Sequence, residues 1–461
     1  MLELLIDLLP LLLFACVCLV LLLGYPVAIS LAGVSLLFAA IGIWLGIIEP
    51  TRFNFLGGRL FKIMERGTLV AVPLFIFMGL MLERAKIAED LLDSMATLFG
   101  KLRGGMGIAV TLVGMLLAAS TGIVGATVVT MGLLSLPAML KRGYQPELST
   151  GVICASGTLG QIIPPSIVLV LLGDVLANAM TEAKGQGLKT DQVASIGDLF
   201  MGAVIPGLIL VMSYMAYVAF IAWRHPERAP AIESSSEISR RQLYFAAFKN
   251  LSMPLILIVA VLGSILTGLA TPTEAAAIGA LGAILLAIVR QQFSLARLKE
   301  VMRATVKTTS MVFLILIGAS IFSLVFRLLG GDEMIHQFFS QLPGGLFTAL
   351  LIVMIVMFLL GFILDFIEIT FVIVPIIGPV LLLMGADPIW LGILIAINLQ
   401  TSFLTPPFGF ALFYLRGVAP PEIKTQHIYK GVIPFIIIQM LVLIMIALWP
   451  SLATWLPATL N

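Results

Sequence analysis

Apolar residues run through this chain in blocks close to the roughly 20 residues a spanning helix needs, and short polar loops separate the blocks. The blocks lie at 2–23, 26–48, 68–84, 146–176, 199–223, 251–270, 272–289, 309–329, 388–415 and 432–456. Two more, 104–140 and 346–384, are too long for one helix, and each has a polar or glycine-rich middle. Each reads as a helical hairpin, the first with its foot at 142. A polar stretch at 224–250, carrying Pro226, Pro230, Ser234 to Ser236, Arg240 and Arg241, separates the halves 1–223 and 251–461.

The halves correspond. Thr158-Leu159-Gly160-Gln161-Ile162-Ile163-Pro164-Pro165 aligns with Gln400-Thr401-Ser402-Phe403-Leu404-Thr405-Pro406-Pro407 at a shift of 242. The same shift carries Pro137 onto Pro379, Gly143 onto Gly385 and Pro146 onto Pro388. Adjacent prolines remove two N–H donors, so 146–176 and 388–415 cannot be continuous helices. Broken helices at matching positions of two repeats mark the binding site of a secondary transporter. With a re-entrant hairpin, each half has five spans, and an odd number forces the second to enter from the opposite side. The expected fold is an all-α polytopic membrane protein with two inverted repeats.

Loop charge supports inversion. The feet of the first hairpin carry Lys101, Arg103, Lys141 and Arg142, and those of the second carry no Lys or Arg. Positive residues mark the cytoplasmic side. Arg224, Arg240, Arg241, Arg290, Arg297, Lys299, Arg416, Lys424 and Lys430 also fall there, and both termini fall outside. The segment 50–66, with Arg52, Arg59, Lys62 and Arg66, falls outside and breaks the rule; it reads as an amphipathic helix along the membrane surface.

Composition adds exclusions. The 461 residues are 60% hydrophobic and 11% charged, with net charge +2, against about 25% charged in a soluble domain. The basic residues sit in short loops, so nucleic acid is not an expected partner. Cys16, Cys18 and Cys154 lie in apolar segments as small hydrophobes. His225, His336 and His427 are too scattered for a metal centre. Glu3 and Asp7, without a basic n-region, make the N-terminus a first spanning helix rather than a cleaved signal. There is no P-loop and no H-E-x-x-H motif.

Chemistry is expected at the hairpin tips. The first carries Ser120, Thr121, Gly122, Gly125 and Thr127: hydroxyls and turn-permitting glycines that suit a hard cation such as Na⁺. The second carries Asp365 and Glu368 within apolar sequence, where an ionised acid costs about 2.5 kcal/mol or more and usually marks function. Asp365 is open to three roles: ligating Na⁺, accepting a substrate hydroxyl or carrying a proton. The break beside it offers Asn398, Gln400, Thr401, Ser402 and Thr405. Glu274 differs: Thr271-Pro272-Thr273-Glu274 is a capping box. A proton-coupled carrier, a channel and an intramembrane enzyme are the alternatives; the last lacks any nucleophile–base pair.

The chain resembles the large membrane (M) subunit of the tripartite ATP-independent periplasmic (TRAP) transporters. The resemblance rests on Pro73-Leu74-Phe75-Ile76-Phe77-Met78-Gly79, Ser120-Thr121-Gly122, Gly160 to Ser166, Thr271 to Ala277 and Thr405-Pro406-Pro407-Phe408-Gly409. It implies an elevator: a scaffold (1–84, 199–329, 432–456) carrying a mobile domain (100–176, 345–416). It implies no cofactor, Na⁺-coupled uptake of an organic acid across a bacterial inner membrane, a four-helix small membrane subunit and a periplasmic binding protein docking outside, where the insertion 181–198 falls. One implied sodium site uses Ser120, Thr121, Gly160, Ile163 and Pro165; the other uses Asp365, Ser402, Thr405 and Pro407. Implied substrate-facing residues are Ser120, Gly122, Gly125, Gln161, Ser166, Asp365, Glu368 and Asn398. Leu364 to Glu368 and Asn398 to Ser402 look most like the mannitol/chloroaromatic branch, whose members resemble carriers of 2-oxo acids and lactate.

Overall fold

The computed structural model describes residues 6–189, 195–231 and 240–460; Glu3, Ser234 to Ser236 and the 190–194 part of the insertion lie outside the described residues. Among the described residues every regular element is helical. Leu9–Leu22 (α1) and Val27–Trp44 (α2) are joined at Gly24-Tyr25-Pro26. A 3-10 turn, Pro50–Asn54, leads to the surface helix Phe55–Met64 (α3), and another, Gly67–Val70, to Ala71–Arg84 (α4). Ile87–Phe99 (α5) precedes the first hairpin, Gly105–Thr121 (α6) and Val124–Lys141 (α7). The first broken helix is Pro146–Thr158 (α8), a 3-10 turn over Leu159–Gln161 and Ile167–Gly185 (α9); Ile196–Arg224 (α10) closes the half.

The second half runs Arg240–Leu266 (α11), Pro272–Val289 (α12), Leu295–Leu328 (α13) and Gly331–Ser340 (α14). Its hairpin is Gly345–Leu360 (α15), Phe366–Val372 (α16) and Val374–Leu383 (α17). A 55° bend separates α16 from α17. The second broken helix is Pro388–Leu404 (α18) and Phe410–Val418 (α19), followed by Thr425–Leu448 (α20) and Ser451–Leu460 (α21). Eight described helices are long and apolar enough to cross a membrane, or nine if the bent pair is one span.

Local chemistry sets these boundaries. Ser195 and Asp198 form a reciprocal capping box on α10, Thr271 and Glu274 another on α12 as expected, and the Asp387 carboxylate accepts from Ile389 N–H and Trp390 N–H at 2.9 Å to start α18. Both halves share local features at the shift of 242. Pro146 and Pro388 open α8 and α18, Ile123 and Asp365 are the N-caps that follow the tips, and Pro164-Pro165 and Pro406-Pro407 are both cis.

Several boundaries differ from the sequence reading. The charged segment 290–307 is helical from Leu295 on: Ser294 caps α13, which runs 34 residues. The charged side chains there ride on the first turns, where long stems reach water. The helix expected at 251 begins at Arg240, α9 extends into the insertion as far as Gly185, and the block 432–456 is divided at Trp449-Pro450. Helices α5 and α14 were not expected. Each places two acids in its first turn, Glu89 and Asp90 in α5 and Asp332 and Glu333 in α14, complementing the helix dipole.

Packing forms two dense groups, joined where α4 packs on α6 and α13 on α16. Helix α4 packs on α12 and α13, and α13 on α2. The hairpin α6–α7 packs on α8, α9 on α17, and α19 on α7. Of the segments expected in the scaffold, 199–223 lies in α10, which packs on α6, α18, α20 and α21, and most of 432–456 lies in α20, which packs on α8 and α18. The α8–α20 crossing is especially close. A Cβ on Gly151 would strike Gly431 O, and one on Gly431 would strike Glu147 O, so small residues let the two backbones meet.

Candidate functional site

The first tip is a glycine turn locked by hydroxyls. Gly122 ends α6 with φ +61°, a left-handed conformation that glycine adopts without strain, and its N–H donates to Ala118 O at 2.9 Å. The Thr121 and Thr127 hydroxyls lie 2.8 Å apart and share a hydrogen bond across the turn. Ser120 Oγ donates to Leu117 O at 2.9 Å, which leaves its oxygen lone pairs available.

The break following α8 lies against this tip. A Cβ on Gly160 would sit 2.8 Å from Ala118 O, so only glycine permits the approach. Gly160 and the Ser120 end of α6 are therefore brought together as expected. Ser166 does something else. Its hydroxyl donates to Gln161 O at 2.8 Å, satisfying a carbonyl that the prolines leave open, and it caps α9. The expected substrate contact at Ser166 is thus engaged in closing the break. Gln161 itself is fully buried, and neither atom of its side-chain amide has a hydrogen-bond partner. A buried amide left unpaired is costly in a folded chain, which makes Gln161 a strong ligand-facing candidate.

At the second tip the acids are occupied with the helix. Asp365 N–H donates to Glu368 Oε2 at 3.0 Å, Phe366 N–H donates to Asp365 Oδ1 at 2.6 Å, and the pair completes a capping box on α16. The contrast with Glu274 thus narrows: Asp365-x-x-Glu368 and Thr271-x-x-Glu274 use the same device. Glu368 acts here as a cap, while Asp365 is a half-buried residue whose carboxylate caps α16. Gly361 fits against Ser402, where a Cβ would strike Ser402 Oγ, so the second break also touches its tip. Thr405 Oγ1 donates to Thr401 O at 2.7 Å. Pro407 O accepts from Tyr429 OH at 3.2 Å. Asn398, expected to face substrate, instead donates to Met354 O of α15 at 2.9 Å, bracing the hairpin.

One residue at the first tip was missed. A Cβ on Gly125 would lie 2.9 Å from the Tyr414 ring, so α19 of the second broken helix reaches the first tip. Gly125 and Gly132 form the seam of α7 on which α19 rests. The available signal was the departure from internal symmetry, because the shift of 242 puts Leu172 opposite Tyr414. Behind the breaks lies a second polar group. Gln400 Nε2 donates to Thr158 Oγ1 at 3.3 Å, and Gln439 Nε2 donates to Tyr214 OH at 2.8 Å; all four residues are fully buried.

Two broken helices whose breaks back two mid-chain tips define the class: a helical membrane transport protein. The family model described as "Tripartite ATP-independent periplasmic transporter, DctM component" matches residues 14–452. The chain belongs to this family, as a large permease protein and a multi-pass protein of the inner membrane. It is 29% identical to the C4-dicarboxylate TRAP transporter large permease protein DctM of Rhodobacter capsulatus, over 95% of this chain and 96% of that one. It is 30% identical to the isethionate TRAP transporter permease protein DctMQ of Oleidesulfovibrio alaskensis, over 97% of this chain and 66% of that one. The crystal structure of the Alcanivorax borkumensis YdaH transporter has the same fold, with a TM-score of 0.63 at 15% identity over 96% of this chain and 98% of that one.

Proposed function

We propose that this permease subunit couples Na⁺ entry to uptake of a small organic acid, such as a 2-oxo acid or lactate, by an elevator motion. The carrying observation is that Tyr414, on the second broken helix, packs on the first tip at Gly125, while α9, whose first residue Ile167 lies against Gly122, packs on α16 of the second hairpin. The two tips therefore address one region, with a break behind each. Ser120 and the carbonyls of Gly160, Ile163 and Pro165 supply the oxygen donors of one Na⁺ site, whose turn Thr121 holds through its hydrogen bond to Thr127. Asp365, Ser402, Thr405 and Pro407 supply the other, with Pro407 O shared with Tyr429. Gly122, Gly125, Gln161 and Tyr414 face the substrate.

The repeats are inverted in this reading, which the clustering of assigned-outside residues supports: Glu182 pairs with Arg327 at 2.5 Å. On the assigned cytoplasmic side, Arg84 pairs with Glu300 at 2.8 Å, and Arg290 pairs with Asp90. The moving body consists of α6 to α10 and α15 to α21, with α10 and α20 included because they pack on the hairpins and breaks. A small membrane subunit and a periplasmic binding protein complete the transporter. The greater length of the isethionate permease named DctMQ is what two subunits joined in one chain would give.

The test is uptake by proteoliposomes containing both partners, at fixed pH, with and without a Na⁺ gradient. Uptake that follows Na⁺ and vanishes in Ser120→Ala supports the reading. Uptake that follows only the proton gradient, or survives unchanged in Ser120→Ala, sinks the coupling or the first ion site respectively.

A further inference from the structure

The basic segment 50–66, which breaks the charge rule, turns its charges inward. Arg59, Lys62, Ile63 and Arg66 recur at the spacing of one helical face, and all four line a cavity of about 290 Å³. On the other side of α3, Phe61 and Met64 are 59% and 69% exposed. A helix lying free on a bilayer would show its charges to water; here Arg59 and Arg66 are half-buried, and Lys62 lines the cavity while staying exposed. The remaining walls come from α9, from the last turns of α13 and from Phe371 and Pro375 of the second hairpin.

The acids around this cavity are committed. Asp174 accepts from Arg66 at 2.7 Å and from Thr68 at 3.0 Å. Glu182 binds Arg327 through both oxygens, at 2.5 and 2.7 Å, and Asp332 lies 3.5 Å from the same guanidinium. Among the described residues, no carboxylate lies within ion-pair distance of Arg59 or Lys62. Arg59 Nη1 is buried and has no hydrogen-bond partner. Burial, and then the nearby Arg327 charge, push the Arg59 guanidinium below its ordinary value. Two cations without counterions in a partly enclosed pocket are an anion's binding determinants.

We propose that Arg59 and Lys62 hold a small organic carboxylate in this cavity, an entry site distinct from the one between the tips. Placing it on the outer face rests on the transport reading; the anion site itself does not. Because Phe371 and Pro375 belong to the second hairpin, an anion held here lies against the element that has to move. The volume suits a compact organic acid rather than a two-chain lipid.

The test reads local charge without transport. Ser320, on the cavity wall, is changed to Cys in a chain whose Cys16, Cys18 and Cys154 are replaced by Ala, purified with its partners in nanodiscs of neutral lipid. Relative to a free thiol, anionic sulfonatoethyl methanethiosulfonate should react on the order of tenfold faster than its cationic trimethylammonium analogue. Lactate, pyruvate or succinate at constant ionic strength should slow the anionic reagent severalfold. The double change Arg59→Gln and Lys62→Gln should abolish both effects, whereas Arg59→Lys should retain them. No protection by any of the three acids in the monodisperse complex, or protection seen only when phosphatidylglycerol is present, overturns the proposal. Failure of sodium-coupled uptake would leave this result unchanged, so the two readings fail separately.

Discussion

The two hairpin tips occupy matching positions and are closed by different means. The first bends through Gly122 in a left-handed conformation, and a threonine pair ties it, with no side chain capping α7. The second has Gly361 at φ −64° and starts α16 with a carboxylate cap instead. The close approach of tip to break is also exchanged: the glycine is Gly160 on the break in the first half and Gly361 on the tip in the second. One backbone path is therefore reached by backbone freedom in one copy and by side-chain hydrogen bonding in the other. Only the second route leaves a charge at the tip.

That contrast can be broken most severely at Asp365. Asp365→Ala should abolish uptake while costing only about 1 kcal/mol of stability for the lost cap; wild-type uptake in proteoliposomes would remove Asp365 from the ion site. Asp365→Asn, which keeps a capping oxygen, separates the roles, since recovered uptake would assign the residue to the cap alone. Next in size is Gly122→Val. A left-handed backbone costs a β-branched residue roughly 1–2 kcal/mol, and the added Cβ would meet Ile167 at 3.1 Å. About tenfold slower uptake is expected, and an unchanged rate would show that the tip does not need its present shape.

Tyr414→Phe should have a smaller effect, raising KM a few-fold while kcat holds, because it removes a phenolic hydroxyl beside the first tip. An unchanged KM would argue for packing alone. Thr121→Val should be mildest: losing one hydroxyl pair costs about 1 kcal/mol, read as a small drop in thermal midpoint with uptake within about twofold. A larger loss of uptake would promote Thr121 from tie to Na⁺ ligand.

The hairpins, the breaks and the family were legible because prolines and glycines punctuate apolar sequence at fixed offsets. Helices α5 and α14 were not, since short amphipathic helices with acidic first turns resemble loops between apolar blocks. The capping role of Glu368 was written in the same spacing that identified Glu274, but depth in the membrane made the charge look functional first. Tyr414 sits in an apolar run whose pattern gives no direction. Periodicity showed that α3 is two-faced, but not which face is inside: that depends on acids contributed by α9 and α14, more than a hundred residues away.

The Thr158–Gln400 hydrogen bond joins two residues separated by the repeat shift itself. A residue can touch its own counterpart only beside the axis that relates them. For inverted repeats that axis lies in the plane of the membrane. If the repeats are inverted as proposed, the contact is a depth gauge: it fixes the bilayer centre to one pair of atoms, from which the depth of every other group can be measured.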